Sequence, residues 1–317
     1  MTTKGYIISF LIIFFCFQSN IDFAQKFLAI TIDDPTIEET PKLNWQMRDS
    51  LILRTFDKHK IKVALFVCGM KVDNLSGRSL LANWDSKNHM ICNHSYSHLY
   101  YNSKSKSTEN FINDFKNGDS TIMTYRNYTK LFRFPYLKEG NTVGKRDSMR
   151  AALSKLGYRN GHVTIDASDW YIDALITEKL KEDIDADLTP YKEYYLKHIL
   201  ERANYYDSLA HLVFKRKISH TLLIHHSLLN ALFLDDLLSL LEAKGWKLID
   251  AKKAYEDKVF LKQPNIEPCG ESIIWQCASE IEAISKTLRY PAEDEEYEKQ
   301  PLEIYIKEYT TRTNKNK

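Results

Sequence analysis

KFLAITIDD, residues 26–34, is an apolar run that stops abruptly in two carboxylates. Short apolar runs bounded by polar punctuation read as buried strands. The same pattern recurs in KVALFVCG (62–69), MICNH (90–94), LFRFPY (131–136), HVTIDA (162–167) and TLLIHH (221–226). Amphipathic stretches of helical length separate them, among them Trp45–Lys58, Thr108–Arg126 and Lys145–Leu156. Strands alternating with helices predict βα units on a parallel sheet. Six or seven such units predict an α/β fold, a distorted (β/α) barrel of about seven strands. Polar, chemically capable residues stand at the C-terminal ends of these runs: Asp33 and Asp34, His94, Arg133 and Tyr136, Asp166 and Asp169, then His225. Parallel barrels build their active sites at that face.

Around this frame, Lys plus Arg is 44 and Asp plus Glu is 42, so no polycationic signature of nucleic-acid binding is present. No Gly-rich phosphate loop appears, which leaves a nucleotide cofactor without support. The N-terminal MTTKGYIISFLIIFFCFQSNIDFAQ carries Lys4 before an apolar run from Tyr6 to Phe17. That pattern predicts a signal peptide over residues 1–25 and an exported protein, periplasmic or secreted. An uncleaved anchor and a lipoprotein on Cys16 are the lesser alternatives. Cys68 and Cys92 read as buried thiols, whereas Cys269 and Cys277 could pair in an oxidising compartment. The main domain is expected over 26–263, with a helical insertion at about 173–216. A C-terminal helical extension is expected over 264–317.

HSYSH (94–98) sets two histidines four apart, a spacing that on a helix stacks both imidazoles on one face. Such a pair can converge on one cation when a carboxylate joins it. Five short motifs then occur in order: TIDD (31–34), HSYSH (94–98), RFPY (133–136), DASDW (166–170) and LIH (223–225). With them the chain resembles the polysaccharide deacetylases of the NodB-homology type, carbohydrate esterase family 4, over roughly residues 26–250.

The resemblance implies a hydrolase that removes acetyl groups from an N-acetylated glycan such as peptidoglycan, a chitin-like oligomer or an exopolysaccharide. One divalent metal, Zn2+ as the first expectation, would be held by Asp34, His94 and His98. Asp33 would be the general base, with Arg133 as its counter-ion. His225 would be the general acid, oriented by Asp169. The backbone N–H of Tyr136 would face the oxyanion, Tyr136 would also line the substrate groove, and Trp170 would form the wall for the acetyl methyl. Hydrolysis of another amide or of an O-acetyl ester is the alternative within the same chemistry. A non-catalytic glycan-binding relative is the alternative of another class, and the complete set of ligands, base and acid argues against it.

Taken singly, these residues have plainer readings. Asp33–Asp34 could cap a turn, Arg133 could be a surface salt-bridge partner, and Trp170 could be core. His89 is expected to pack, while His59, His162, His198, His211, His220 and Asp235–Asp236 are expected to be structural or solvent-exposed. Two departures from the family pattern stand out: Asp34 runs directly into Pro35, and Leu137 follows Tyr136 where glycine is usual. Leucine takes positive φ only at a cost, so the second departure predicts an altered loop.

Overall fold

The computed structural model describes residues 25–292 and 295–315. The expected signal segment therefore lies outside the described residues, apart from Gln25. The strands are β1 (Lys26–Asp33), β2 (Ala64–Val67), β3 (Met90–Asn93), β4 (Tyr128–Phe132), β5 (Lys138–Gly140), β6 (Arg159–Asn160), β7 (Ser219–His225), β8 (Trp246–Leu248) and β9 (Cys269–Gly270). The first helices are α1 (Trp45–His59), α2 (Gly69–Val72), α3 (Leu75–Ser86), α4 (Thr108–Ile122), α5 (Val143–Lys155) and α6 (Asp169–Glu182). They are followed by α7 (Thr189–Phe214), α8 (Leu228–Ala243), α9 (Ala251–Ala254), α10 (Ile273–Ser279), α11 (Glu282–Ser285) and α12 (Glu295–Lys315). None of these helices is long and apolar enough to cross a membrane.

The sheet runs β6-β4-β3-β2-β1-β7 with every pairing parallel, and β8 joins β1 beside Lys26–Leu28. From Leu28 to Asp33 every residue of β1 is buried, as expected of a central parallel strand clothed by helices on its outer face. The expected barrel is present, but its closure is irregular. HVTIDA (162–167) is not a strand. It keeps one bridge, Ile165 to Leu222, while Arg159–Asn160 just before it pairs with β4. Thr164 and Thr221 explain the broken ladder: each threonine hydroxyl takes a backbone N–H that regular pairing would have used. One segment thus spans from the β4 edge to the β7 edge and closes the barrel.

Register levels the catalytic end. Asp33 lies beside Phe66 of β2 and His225 of β7, and Asn93 lies beside both Val67 and Phe132. Residues at or just past the ends of β1, β3, β4 and β7 therefore open onto one mouth.

Two helices fill the region of the expected insertion, α6 and α7, with α6 starting earlier, at Asp169. The C-terminal segment packs against the barrel wall rather than trailing. Its β9 pairs antiparallel with β5, Ile273 N–H donates to Val163, and α10 and α12 lie on α7. Cys269 and Cys277 are both buried and unpaired.

Gly118 of α4 sits directly under the histidine loop. A Cβ there would come within 2.5 Å of the Ser95 carbonyl carbon and 2.9 Å of Asn93 Oδ1. Gly118→Ala should therefore cost about 1–3 kcal/mol, as overpacking does, and displace the loop that carries His94 and His98. Paired melting and metal-titration measurements check this. A variant with parent stability and parent metal affinity would contradict it.

Candidate active site

At the top of β1 two adjacent carboxylates diverge. Asp33 ends the strand and is 2% exposed, while Asp34 turns through a positive φ of 57°. Asp34 N–H donates to the Phe66 carbonyl and His226 N–H donates to the Asp33 carbonyl, which fixes both backbones. The strand's two-residue alternation sends the side chains different ways. Asp33 faces Arg133 and Asp34 faces the histidine loop.

The two histidines do not lie on a helix. His94 follows β3 directly, and the chain then turns through Ser95 (φ 66°) to His98 (φ 55°). Asp114 of α4 replaces the helical hydrogen bonds, accepting from the N–H groups of Tyr96 and Ser97 and from the Ser97 hydroxyl at 2.6 Å. Asn93 Oδ1 accepts the Ser95 N–H at 2.8 Å. The spacing of four thus brings the imidazoles together through a buttressed loop, with ring centroids 5.0 Å apart.

One ligand atom each from Asp34, His94 and His98 lies within 4.8 Å of the others, so the three could hold a metal ion. His94 Nδ1 lies 2.9 Å from the Arg133 carbonyl, which can only accept; Nδ1 is therefore the protonated nitrogen and Nε2 keeps its lone pair. Asp34 Oδ1 is buried with no hydrogen-bond partner among the described residues, as an oxygen awaiting a cation would be. Burial pushes both imidazoles down, His94 and His98 each to about 4, so they are neutral ligands at physiological pH. Burial raises the Asp34 carboxyl, but His94, His98 and Lys71 outweigh it and hold the group well below the usual carboxylate range.

Arg133 is fully buried beneath the mouth. Its Nη1 donates to Asp33 Oδ1 at 2.5 Å and to Thr31 Oγ1 at 3.0 Å. Nε donates to the Gly161 carbonyl at 2.9 Å and Nη2 to the Tyr255 hydroxyl at 3.0 Å, with the guanidinium over the Phe66 ring. Burial lifts Asp33 to about 6, against the pull of Arg133 and His225.

Across the mouth, His225 Nδ1 lies 2.9 Å from Asp169 Oδ1, and its backbone N–H donates to Asp169 Oδ2 at 2.8 Å. Asn230 completes that carboxylate with a third donor at 2.8 Å. Burial alone would lower the His225 pKa, but Asp169 overrides it and carries the imidazole up to about 10. Its neighbour His226 points the other way, buried against Asp49 and Trp84.

These groups line a cavity of about 280 Å3 together with Tyr136, Leu137, Trp170 and Leu223. Tyr136 is 43% exposed, and its ring packs edge-on against His98. Leu137 does adopt positive φ, at 57°, contrary to the expectation from its side chain. The C-terminal segment supplies the reason: Leu137 N–H donates to Phe134, and its carbonyl accepts the Glu271 N–H. Gly270 permits that approach, since a Cβ there would meet the Leu137 carbonyl at 2.4 Å. The brace offsets the roughly 1–2 kcal/mol cost of a left-handed leucine.

Among the residues read as structural, His89 is sandwiched between Phe56 and Trp84 and accepts the Val63 N–H. His59 contacts Glu242 and Asp235, while His198 and His220 face Glu298 and Asp207. Asp166 is buried and accepts from Ala292 N–H of the C-terminal segment, away from the cavity lining. Sequence reasoning did not single out Lys71, whose Nζ lies 3.0 Å from Asp34 Oδ2, nor Asn230 or Tyr255. Nothing local marks Lys71, and Asn230 reaches Asp169 only because the first turn of α8 follows β7 directly.

Residues 20–161 match the family model described as polysaccharide deacetylase. The polysaccharide deacetylase Bc1974 from Bacillus cereus is 18% identical in solved structure, with a TM-score of 0.53 over 77% of this chain and 97% of that one. The peptidoglycan deacetylase PdaC from Bacillus subtilis is 21% identical, with a TM-score of 0.47 over 74% of this chain and 91% of that one. BA3943 from Bacillus anthracis, described as a CE4 family pseudoenzyme, is 17% identical, with a TM-score of 0.48 over 73% and 66%. No curated protein sequence matches. Residues 20–161, which carry β1 to β6, are thus similar to the polysaccharide deacetylases, and the chain shares its fold with Bc1974.

Proposed function

We propose that this chain is an exported hydrolase that removes acetyl groups from an N-acetylated glycan and depends on one divalent cation, Zn2+ first among them. The observation that carries the proposal is a single cavity where Asp34, His94 and His98 meet an Arg-held carboxylate and an Asp-held imidazole. A cation on those three ligands supplies Lewis-acid polarisation of the acetyl carbonyl and a water of lowered pKa.

The chain's own groups do the rest. Asp33, lifted to about 6 by burial yet ionised at neutral pH, takes the proton of the attacking water. The water oxygen bonds to the carbonyl carbon, and the Tyr136 N–H would donate to the developing oxyanion. His225 holds its Nδ1 on Asp169, so Nε2 carries the proton that the departing amine takes as the carbon–nitrogen bond breaks. Acetate and a free amino sugar result. Trp170, Leu137 and Leu223 exclude water around the acetyl methyl.

The proposal is tested by acetate release from N-acetylglucosamine oligomers and peptidoglycan, with and without chelator, alongside bound-metal analysis. Chelator-sensitive release is expected. No release on either glycan with metal bound would shift the substrate to another acyl group, and no metal bound would remove the mechanism. Export is tested separately by fractionation of cells.

The alkaline limb of kcat/KM should report His225. Asp169 holds that imidazole up to about 10, so Asp169→Asn should move the limb down toward about 6.5, the unperturbed histidine value. The sign follows because losing the carboxylate removes what favours the charged form. A limb that stays in place in the variant would take the acid role from His225.

A further inference from the structure

Beside the reaction cavity lies a second hollow of about 460 Å3, lined by Tyr100, Asn102, Lys138, Glu271 and Trp275. The two share a wall. Tyr136 and Leu137 line the first, Lys138 the second, and the Tyr100 ring meets the Tyr136 ring edge-on at 5.4 Å. Its far side is built by residues 266–279, which lie beyond the segment that matches the family model.

The chemistry of this hollow is specific. Asn102 Oδ1 and Glu271 Oε2 are buried, and neither has a hydrogen-bond partner among the described residues. Buried acceptors are almost always satisfied, and two in one hollow call for a ligand that brings donors. Glu271 spends its other oxygen on Lys138, which neutralises the cation that would otherwise hold an anion. Tyr100 is 45% exposed and Trp275 half-buried, so apolar ring faces stand next to the two acceptors. Aromatic faces beside a few placed polar atoms suit a flat, neutral ligand rich in hydroxyl and amide donors.

We propose that this hollow binds the next sugar of a neutral N-acetylated glycan chain, so that the C-terminal segment makes the protein selective for oligomers. The inference rests on the deacetylase reading for which sugar sits in the first cavity. It follows that a tetramer should bind about tenfold or more tightly than a dimer, the worth of one or two net hydrogen bonds plus ring contact.

The test is calorimetric titration of N-acetylglucosamine dimer and tetramer into the metal-loaded chain carrying Asp33→Asn, which slows turnover. The same titrations are run after adding Asn102→Ala or, separately, Tyr100→Ala. The expected result is a tetramer preference that both additions remove while dimer affinity stays. In chains with Asp33 intact, either variant should raise KM for the tetramer and leave kcat near parent. Equal binding of dimer and tetramer, or no binding of either, would overturn the proposal, as would variants that weaken both sugars alike. A tetramer preference that Asn102→Ala removes, in a chain that releases no acetate, would support the subsite and defeat only the deacetylase reading. Chelator-sensitive acetate release with no dependence on length would do the reverse.

Discussion

An Asp33→Asn chain should release acetate about 10²–10⁴ times more slowly than the parent, the usual worth of a positioned general base, while still binding its metal. The two adjacent carboxylates make this a sharp experiment. Asp34 shares its site with both histidines, whereas Asp33 is turned toward Arg133, with Nη1 on Oδ1 at 2.5 Å. The amide oxygen of asparagine can still accept from Arg133, so the buried guanidinium keeps a partner. What disappears is the lone pair that takes the proton of water. Metal content, melting temperature and acetate release should be measured together on one preparation. Retained activity would strip Asp33 of the role of base. Activity and metal lost in parallel would mean that Asp33, not Asp34 alone, belongs to the ligand set.

How much of this was legible beforehand depends on how local each cause is. β1 was readable because its burial is written in its composition, and the ends of α1, α4 and α5 fell within a few residues of the amphipathic stretches. The meeting of Asp34, His94 and His98 was likewise legible, since strand ends of a parallel barrel converge. Its local geometry was not. Four-residue spacing suggested a helix, but Asp114 on α4, a side chain sixteen residues past His98, holds the loop instead. Leu137 shows the same limit more strongly. Its positive φ is set by Gly270 and Glu271, more than 130 residues away, and no pattern around RFPYL announces them. The missing strand at 162–167 comes from threonine hydroxyls that compete with the ladder, which apolar periodicity does not register. Lys71 reaches Asp34 only through the fold. Short-range chemistry survives reading one residue at a time, whereas contacts made through space do not.

Arg133→Met should cost about 3–5 kcal/mol of stability, because removing one partner of a buried ion pair strands the other. Methionine approximates the length of the stem, so the loss is chiefly polar. Four acceptors lose their donor at once: Asp33 Oδ1, Thr31 Oγ1, the Gly161 carbonyl and the Tyr255 hydroxyl. The Phe66 face also loses its cation at 3.8 Å. The deficit should depend on pH in a predictable direction. In the parent, burial raises Asp33 from 3.8 to about 6, so between those values the folded chain binds more protons than the unfolded one and stability falls as pH rises. Arg133 is the strongest influence pulling that value down, so without it the Asp33 carboxyl rises further. The window of falling stability then extends to higher pH, and the variant's shortfall against the parent grows from about pH 5 to pH 8. Below that window Asp33 is protonated in both chains and the stranded charge is gone. Urea unfolding of chelator-treated parent, Arg133→Met and Arg133→Lys at both pH values measures this. The lysine variant should fall between the other two, since it keeps the charge but not the planar fork that reaches Gly161 and Tyr255 together. A shortfall under about 1 kcal/mol, or one equal at both pH values, would mean that Asp33 does not depend on Arg133 for its charge in the folded chain.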